Sequence, residues 1–189
     1  MKDNKGHIEL EWWVFNAWYE ANGFNKIVDP IKVIDSSIAK YLLLKVKRVL
    51  DNNGIPFLLV FGTLLGAYRD KKFIEWDRDI DIAFLKEDKE KVSQLIKEGQ
   101  FALYGIEWIR DMDHLYSLAY RSEYIDLHFF EERSQAYISG GLDEYVIKKE
   151  QLDNPNSKIM FLGEEFNTVS CIEEYLKDQY GENWRTPIR

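Results

Sequence analysis

A single cysteine, Cys171, is all the sequence holds, which excludes an internal disulfide and any zinc cage built on thiolates. Its three histidines, His7, His114 and His128, are too scattered for a zinc motif. No run approaches the ~18 apolar residues of a membrane span. The first residues, MKDNKGHIELEWW, lack the unbroken apolar core of a signal peptide. Positive charge is also scarce: 25 Lys and Arg stand against 33 Asp and Glu, leaving a net charge of -8. That balance argues against a nucleic-acid binder working by phosphate neutralisation. A nucleotide substrate stays open, because a bound cation can offset local negative charge. Repeats and low-complexity segments are absent too. The expectation is a reduced, soluble, cytoplasmic protein.

What is present suffices for a core. The 189 residues are 46% hydrophobic and 15% aromatic, which suits one domain with at most a small appendage. The stretch that organises it is Phe61 to Phe84, FGTLLGAYRDKKFIEWDRDIDIAF. Period-two alternation predicts a strand through Trp76–Ile82, with Asp77, Asp79 and Asp81 on one face and Ile80 and Ile82 in the core. Carboxylates crowded on a half-buried strand repel one another and are costly to bury unpaired. Either that strand lies at an edge with its acids in water, or the acids hold a hard divalent cation, Mg²⁺ or Mn²⁺, through oxygen.

Upstream, Ile55–Phe61 reads as a short apolar strand, central and covered on both faces. Gly62-Thr63 then turns the chain into a helix over Leu64–Tyr68. A glycine at such a junction lets backbone N–H groups approach a phosphate, and the Thr63 hydroxyl can donate to the same oxygens. Arg69 has two open readings: bidentate contact with a phosphate, or a salt bridge to Asp77 or Asp79. Before this, Asp35 and Ser36 cap an amphipathic helix with Ile38, Leu42, Val46, Val49 and Leu50 inward. Its basic face is solvated surface or a contact for an anionic partner or lipid headgroup. Residues 8–19, rich in aromatics, fill a core or contact, or cover an acceptor sugar.

Downstream, Lys86–Gly99 reads as a helix and four short strands follow: Phe101–Tyr104, Glu107–Arg110, Leu115–Arg121 and Tyr124–Phe130. In the last, Asp126 is a lone acid between apolar residues; beside the Asp79/Asp81 strand it would complete a metal site. His128 shares its face, as a phosphate-orienting group or a hydrogen-bonded structural histidine. Ser139–Gly141 and Asp153–Asn156 are loops, and Ile172–Tyr180 is a short helix stopped by Gly181.

The paired blocks FGTLLGAYR and FIEWDRDIDIAF resemble the signature of the LicD/fukutin-related family, within the nucleotidyltransferase-fold superfamily. Phe161-Leu162-Gly163 with Phe166, Glu174-Tyr175-Leu176 and Tyr180-Gly181 resemble its later segments, so the likeness runs from about residue 38 to 186. Glu75 stands where many members have proline, and Lys71-Lys72 replace a more usual small turn. The cysteine cluster and membrane anchor of animal relatives have no counterpart. The resemblance implies an α+β fold, a nucleotidyltransferase-like mixed β-sheet flanked by helices, over 35–189, with 1–34 packed on it.

It further implies Asp79, Asp81 and Asp126 as catalytic metal ligands for Mg²⁺ or Mn²⁺, with Asp126 also a base. Gly62, Thr63 and Arg69 would hold donor phosphates, and Asp77 would order the site. The implied reaction moves a phospho-alcohol group, such as phosphocholine, ribitol or glycerol phosphate, from a CDP-linked donor to a sugar hydroxyl of a glycan or glycolipid, releasing CMP. A nucleotidyltransferase proper, passing a nucleoside monophosphate to a small molecule or protein, would keep the same acids. A non-catalytic binding module is the third reading, and three intact acids count against it.

Overall fold

Asp35 starts a helix by accepting, through Oδ1, the N–H groups of Ser37 at 2.9 Å and Ile38 at 3.2 Å, donors a helix leaves unsatisfied at its first turn. The computed structural model describes residues 33–140, 145–152 and 157–187; the aromatic stretch at 8–19 and the loop residues 141 and 153–156 lie outside them. Helix α1 (Ser36–Asn52) buries Ala39, Leu42, Leu43, Val46, Val49 and Leu50 along one stripe. On its outer side, Lys47 pairs with Asp51 at 2.5 Å, and the Lys45 ammonium lies over the Tyr41 and Tyr104 rings.

The chain then forms β1 (Leu58–Leu59), α2 (Phe61–Leu65) and a π-helical turn (Gly66–Asp70), followed by β2 (Ile80–Leu85). After a 3₁₀ turn come α3 (Lys89–Lys97), β3 (Glu107–Asp111), β4 (Leu115–Tyr120), β5 (Glu123–Arg133), β6 (Ala136–Ser139) and β7 (Tyr145–Lys148). Helix α4 (Lys149–Leu152), the hairpin β8 (Lys158–Phe161) and β9 (Glu164–Asn167), and α5 (Ile172–Tyr180) complete the elements. The main sheet runs β1-β2-β5-β4-β3, with β6 and β7 extending from β5. Among the named strands of the described residues, β2 and β5 pair in parallel and the other pairs are antiparallel. This is the mixed α+β sheet flanked by helices that the resemblance implied.

Four expectations are corrected. The acid strand starts only at Ile80, so Asp77 and Asp79 precede it in irregular chain. Strand β1 is two residues at the end of the path, although Leu59 also bridges to Thr168. Pro56 lacks an N–H for a ladder, which keeps the strand short. Ala102–Tyr104 is a 3₁₀ turn closed by Gly105 at φ 73°, not a strand. Gly62 and Thr63 lie within the first turn of α2, not in a turn ahead of it.

The bend is made instead at Phe61, which has a left-handed φ of 47°. Such a conformation in a bulky residue costs on the order of 1–3 kcal/mol. Its surroundings hold it there: the Phe61 N–H donates to the Tyr175 hydroxyl at 3.2 Å, and its ring packs edge-to-face with His128 and at a tilt against Tyr145. Gly66 is tighter still, since a Cβ there would sit 2.6 Å from the Lys72 carbonyl oxygen. Backbone cannot swing aside like a side chain. Gly66→Ala is therefore expected to destabilise the fold by about 1–3 kcal/mol in urea denaturation, the usual range for overpacking.

Candidate active site

Register decides which side chains meet. Asp81 of β2 lies opposite Asp126 of β5, Asp126 opposite Ser117 of β4, and Ser117 opposite Arg110 of β3. One row across four strands thus carries Asp81, Asp126, Ser117 and Arg110. The last place depends on a β-bulge: the register shifts between Trp108 and Arg110. Without the extra residue, Ile109 would take the place opposite Ser117 and the guanidinium would turn to the other face. The Trp108 indole N–H pins the bulge by donating to the Arg110 carbonyl at 2.7 Å.

The contacts follow from that row. Asp126 accepts from the Ser117 hydroxyl through Oδ1 and from Arg110 through Oδ2 at 3.3 Å. Asp81 Oδ1 lies 3.2 Å from His128 Nε2, and its backbone N–H donates to Thr63 Oγ1 at 2.9 Å. Asp79 accepts from the Tyr124 hydroxyl at 3.2 Å. Asp77 lies against Gly62, where a Cβ would come within 2.4 Å of its Oδ2; the missing side chain is what admits this carboxyl.

Burial dominates the electrostatics. It lifts Asp77 from 3.8 to about 6, with Asp79 adding to the rise. Asp79 is raised by burial and partly relieved by Tyr124. Asp81 is raised well above its ordinary value by burial, then by Asp79 and Asp77. Asp126 rises to about 7 through burial, with the nearby Arg110 charge opposing. Burial also lowers His128 and so keeps its ring neutral. His128 Nε2 faces Asp81, and Nδ1 is buried with no hydrogen-bond partner. Acids strained toward the neutral form are what a bound cation would relieve.

Asp81, Asp126 and His128 each offer an atom within 4.8 Å of the others, a group able to hold a metal ion. Two carboxylates and an imidazole fit a divalent cation. Of the residues expected from sequence, Asp81 and Asp126 meet here, and Asp79 stands close enough to raise Asp81. Thr63 touches Asp81 through its backbone, and Gly62 touches Asp77. Arg69 does not pair with Asp77 or Asp79. Its Nε and Nη2 grip Asp70 at 2.8 and 2.7 Å, and Nη1 donates to the Trp184 carbonyl at 3.1 Å.

A mixed sheet bearing this acid row after a strand–helix turn has the nucleotidyltransferase fold. The crystal structure of ANT(2")-Ia in complex with adenylyl-2"-tobramycin superposes with a TM-score of 0.52 at 16% identity, covering 78% of each chain. The solution structure of ANT(2'')-Ia gives 0.51 at 15%, over 78% of this chain and 76% of that one. Residues 54–168 match the LicD/FKTN/FKRP nucleotidyltransferase domain, more than half of the sequence, and the chain belongs to that family. Human ribitol-5-phosphate transferase FKTN is 25% identical over 156 residues, and the mouse protein of that name 26%; each match spans 80% of this chain and 34% of the relative. The chain thus spans about a third of the length of these curated relatives.

Proposed function

We propose that the chain is a metal-dependent transferase that moves a phospho-alcohol group from a CDP-linked donor to a sugar hydroxyl in cell-surface polysaccharide assembly, releasing CMP. Residues 35–189 form its catalytic unit, working in the cytoplasm. The observation that carries the reading is the pairing of Asp81 with Asp126 on adjacent parallel strands, beside Asp79 and His128. Family membership and the ribitol-phosphate transferases among the relatives support the substrate class.

Mg²⁺ or Mn²⁺ would supply charge neutralisation on the donor pyrophosphate. Asp79, Asp81 and Asp126 would hold it, with His128 beside them. Asp126 would also accept the proton of the acceptor hydroxyl. Ser117 and Arg110 fix its two oxygens, so its orientation is set before substrate arrives. Thr63 fixes the start of β2 by accepting from Asp81, and with Gly62 borders the donor phosphates.

Product analysis tests this. Incubation with Mg²⁺ and CDP-ribitol, CDP-glycerol or CDP-choline should release CMP and leave the phospho-alcohol on a glycan acceptor. Pyrophosphate release from a nucleoside triphosphate, with the nucleotide on the acceptor, would show a nucleotidyltransferase instead. No metal-dependent turnover of any donor would leave a binding module.

A further inference from the structure

Beside the acids, a cavity of about 260 Å³ opens between the π-helical turn and the tail after α5, walled among others by Gly62, Arg69, Trp76, Asp77, Tyr180 and Asn183. We propose that this cavity holds the base of the donor nucleotide, an aminopyrimidine, with Tyr180 and Trp76 flanking the ring and Asp77 accepting from its exocyclic amine. The inference rests on the donor reading above and adds the residues that would select the base.

Size is the first argument. Pockets that enclose a whole drug-sized ligand run to roughly 300–1,000 Å³; this one suits a single ring system. Charge is the second. Arg69 is already matched by Asp70 and tied to Trp184, which leaves Asp77 as the acid in the wall. A phosphate would be repelled there, whereas a neutral ring carrying N–H donors is welcome. Asp accepting from the N4 amine distinguishes cytosine from uracil, which presents a carbonyl at that place.

Position is the third argument. Gly62 and Asp77 belong both to the cavity wall and to the border of the acid site, so a base here leaves its phosphates beside Asp79 and Asp81. Tyr180 keeps 43% of its surface exposed, yet its phenol lies within the influence of the same acids: partial burial of the hydroxyl, then Asp81, Asp77 and Asp79, hold its proton on. Trp184 is a poorer platform, since Arg185 already covers its ring at 4.2 Å. Arg69 is thus a positioning residue that ties the tail to the π-turn.

Isothermal titration with CMP and UMP in the presence of Mg²⁺ tests the assignment. Wild type is expected to bind CMP about tenfold more tightly than UMP. Tyr180→Ala should weaken both by about tenfold and keep their ratio, because stacking tolerates any base; Tyr180→Phe, which keeps the ring, should stay near wild type. Asp77→Asn should bring the two affinities close together, and any general weakening cancels in that ratio. Unchanged CMP affinity in Tyr180→Ala, or an unchanged ratio in Asp77→Asn, overturns the pocket and leaves the donor reading standing. Failure of wild type to bind either nucleotide overturns both.

Discussion

Asp81→Asn is expected to lower turnover by about a thousandfold or more while the protein folds as well as before. Charge stabilisation by a bound metal contributes several kcal/mol to such transition states, and each ~1.36 kcal/mol is tenfold in rate. The fold should tolerate the change because the carboxyl is already costly where it stands: it is buried and raised by Asp79 and Asp77. Asparagine keeps both a donor and an acceptor to face His128 Nε2 and removes one charge from the cluster. Asp126→Asn should behave differently. It abolishes turnover as well, but it removes the carboxylate that faces the Arg110 guanidinium in a buried pair. Breaking such a pair from one side typically costs about 3–5 kcal/mol. Steady-state kinetics and urea denaturation on both variants separate the roles. Near-normal turnover in Asp81→Asn would sink the metal assignment, and equal stability of the two variants would sink the account of the Arg110 pair.

Much of the site was legible because alternation writes itself into sequence. Asp81 between Ile80 and Ile82, and Asp126 between Ile125 and Leu127, each announce an acid on an apolar strand, and the register places the two opposite one another. Helices α1 and α5 were legible for the same reason, through capping and spacing. What stayed hidden depends on the third dimension. Nothing in the local pattern of Trp108-Ile109-Arg110 signals a bulge, yet that bulge brings Arg110 to Asp126. Ser117 and Tyr124 read as ordinary strand residues until pairing sets them against Asp126 and Asp79. The left-handed Phe61 was equally silent, since it is held by Tyr175 from far along the chain. Asp77 and Asp79 fit the alternation but not the strand: pairing with β5 begins at Ile80.

The metal-free protein should lose stability as pH rises from 6.5 to 8, and Mg²⁺ or Mn²⁺ should reverse the trend. The signs follow from which state holds more protons. A carboxyl raised in the fold keeps a proton that the unfolded chain has already released, so stability falls as pH climbs toward its folded value. Asp77 at about 6 completes most of its contribution early; Asp126 at about 7 acts within the window, and Asp81, raised well above its ordinary value chiefly by burial, works in the same direction. His114 and His128, lowered by burial, work the other way but only below the ordinary 6.5. Asp70, Asp113 and Glu173, lowered chiefly by hydrogen bonds from Arg69, Lys89 and Arg185, act only in acid. Between pH 6.5 and 8 the site acids are left to dominate, with an expected loss of about 1–3 kcal/mol, or several degrees in Tm. A cation binds the ionised carboxylates, so its stabilisation grows over the same interval and reaches about 2.7 kcal/mol at a hundred times Kd. Scanning fluorimetry at half-unit steps, with EDTA and with 10 mM MgCl₂ or MnCl₂, should give curves that diverge as pH rises. Asp81→Asn should flatten the EDTA curve and abolish the divergence. Parallel curves, or a Tm that climbs in EDTA, would mean that these acids are neither strained in the fold nor available to a metal.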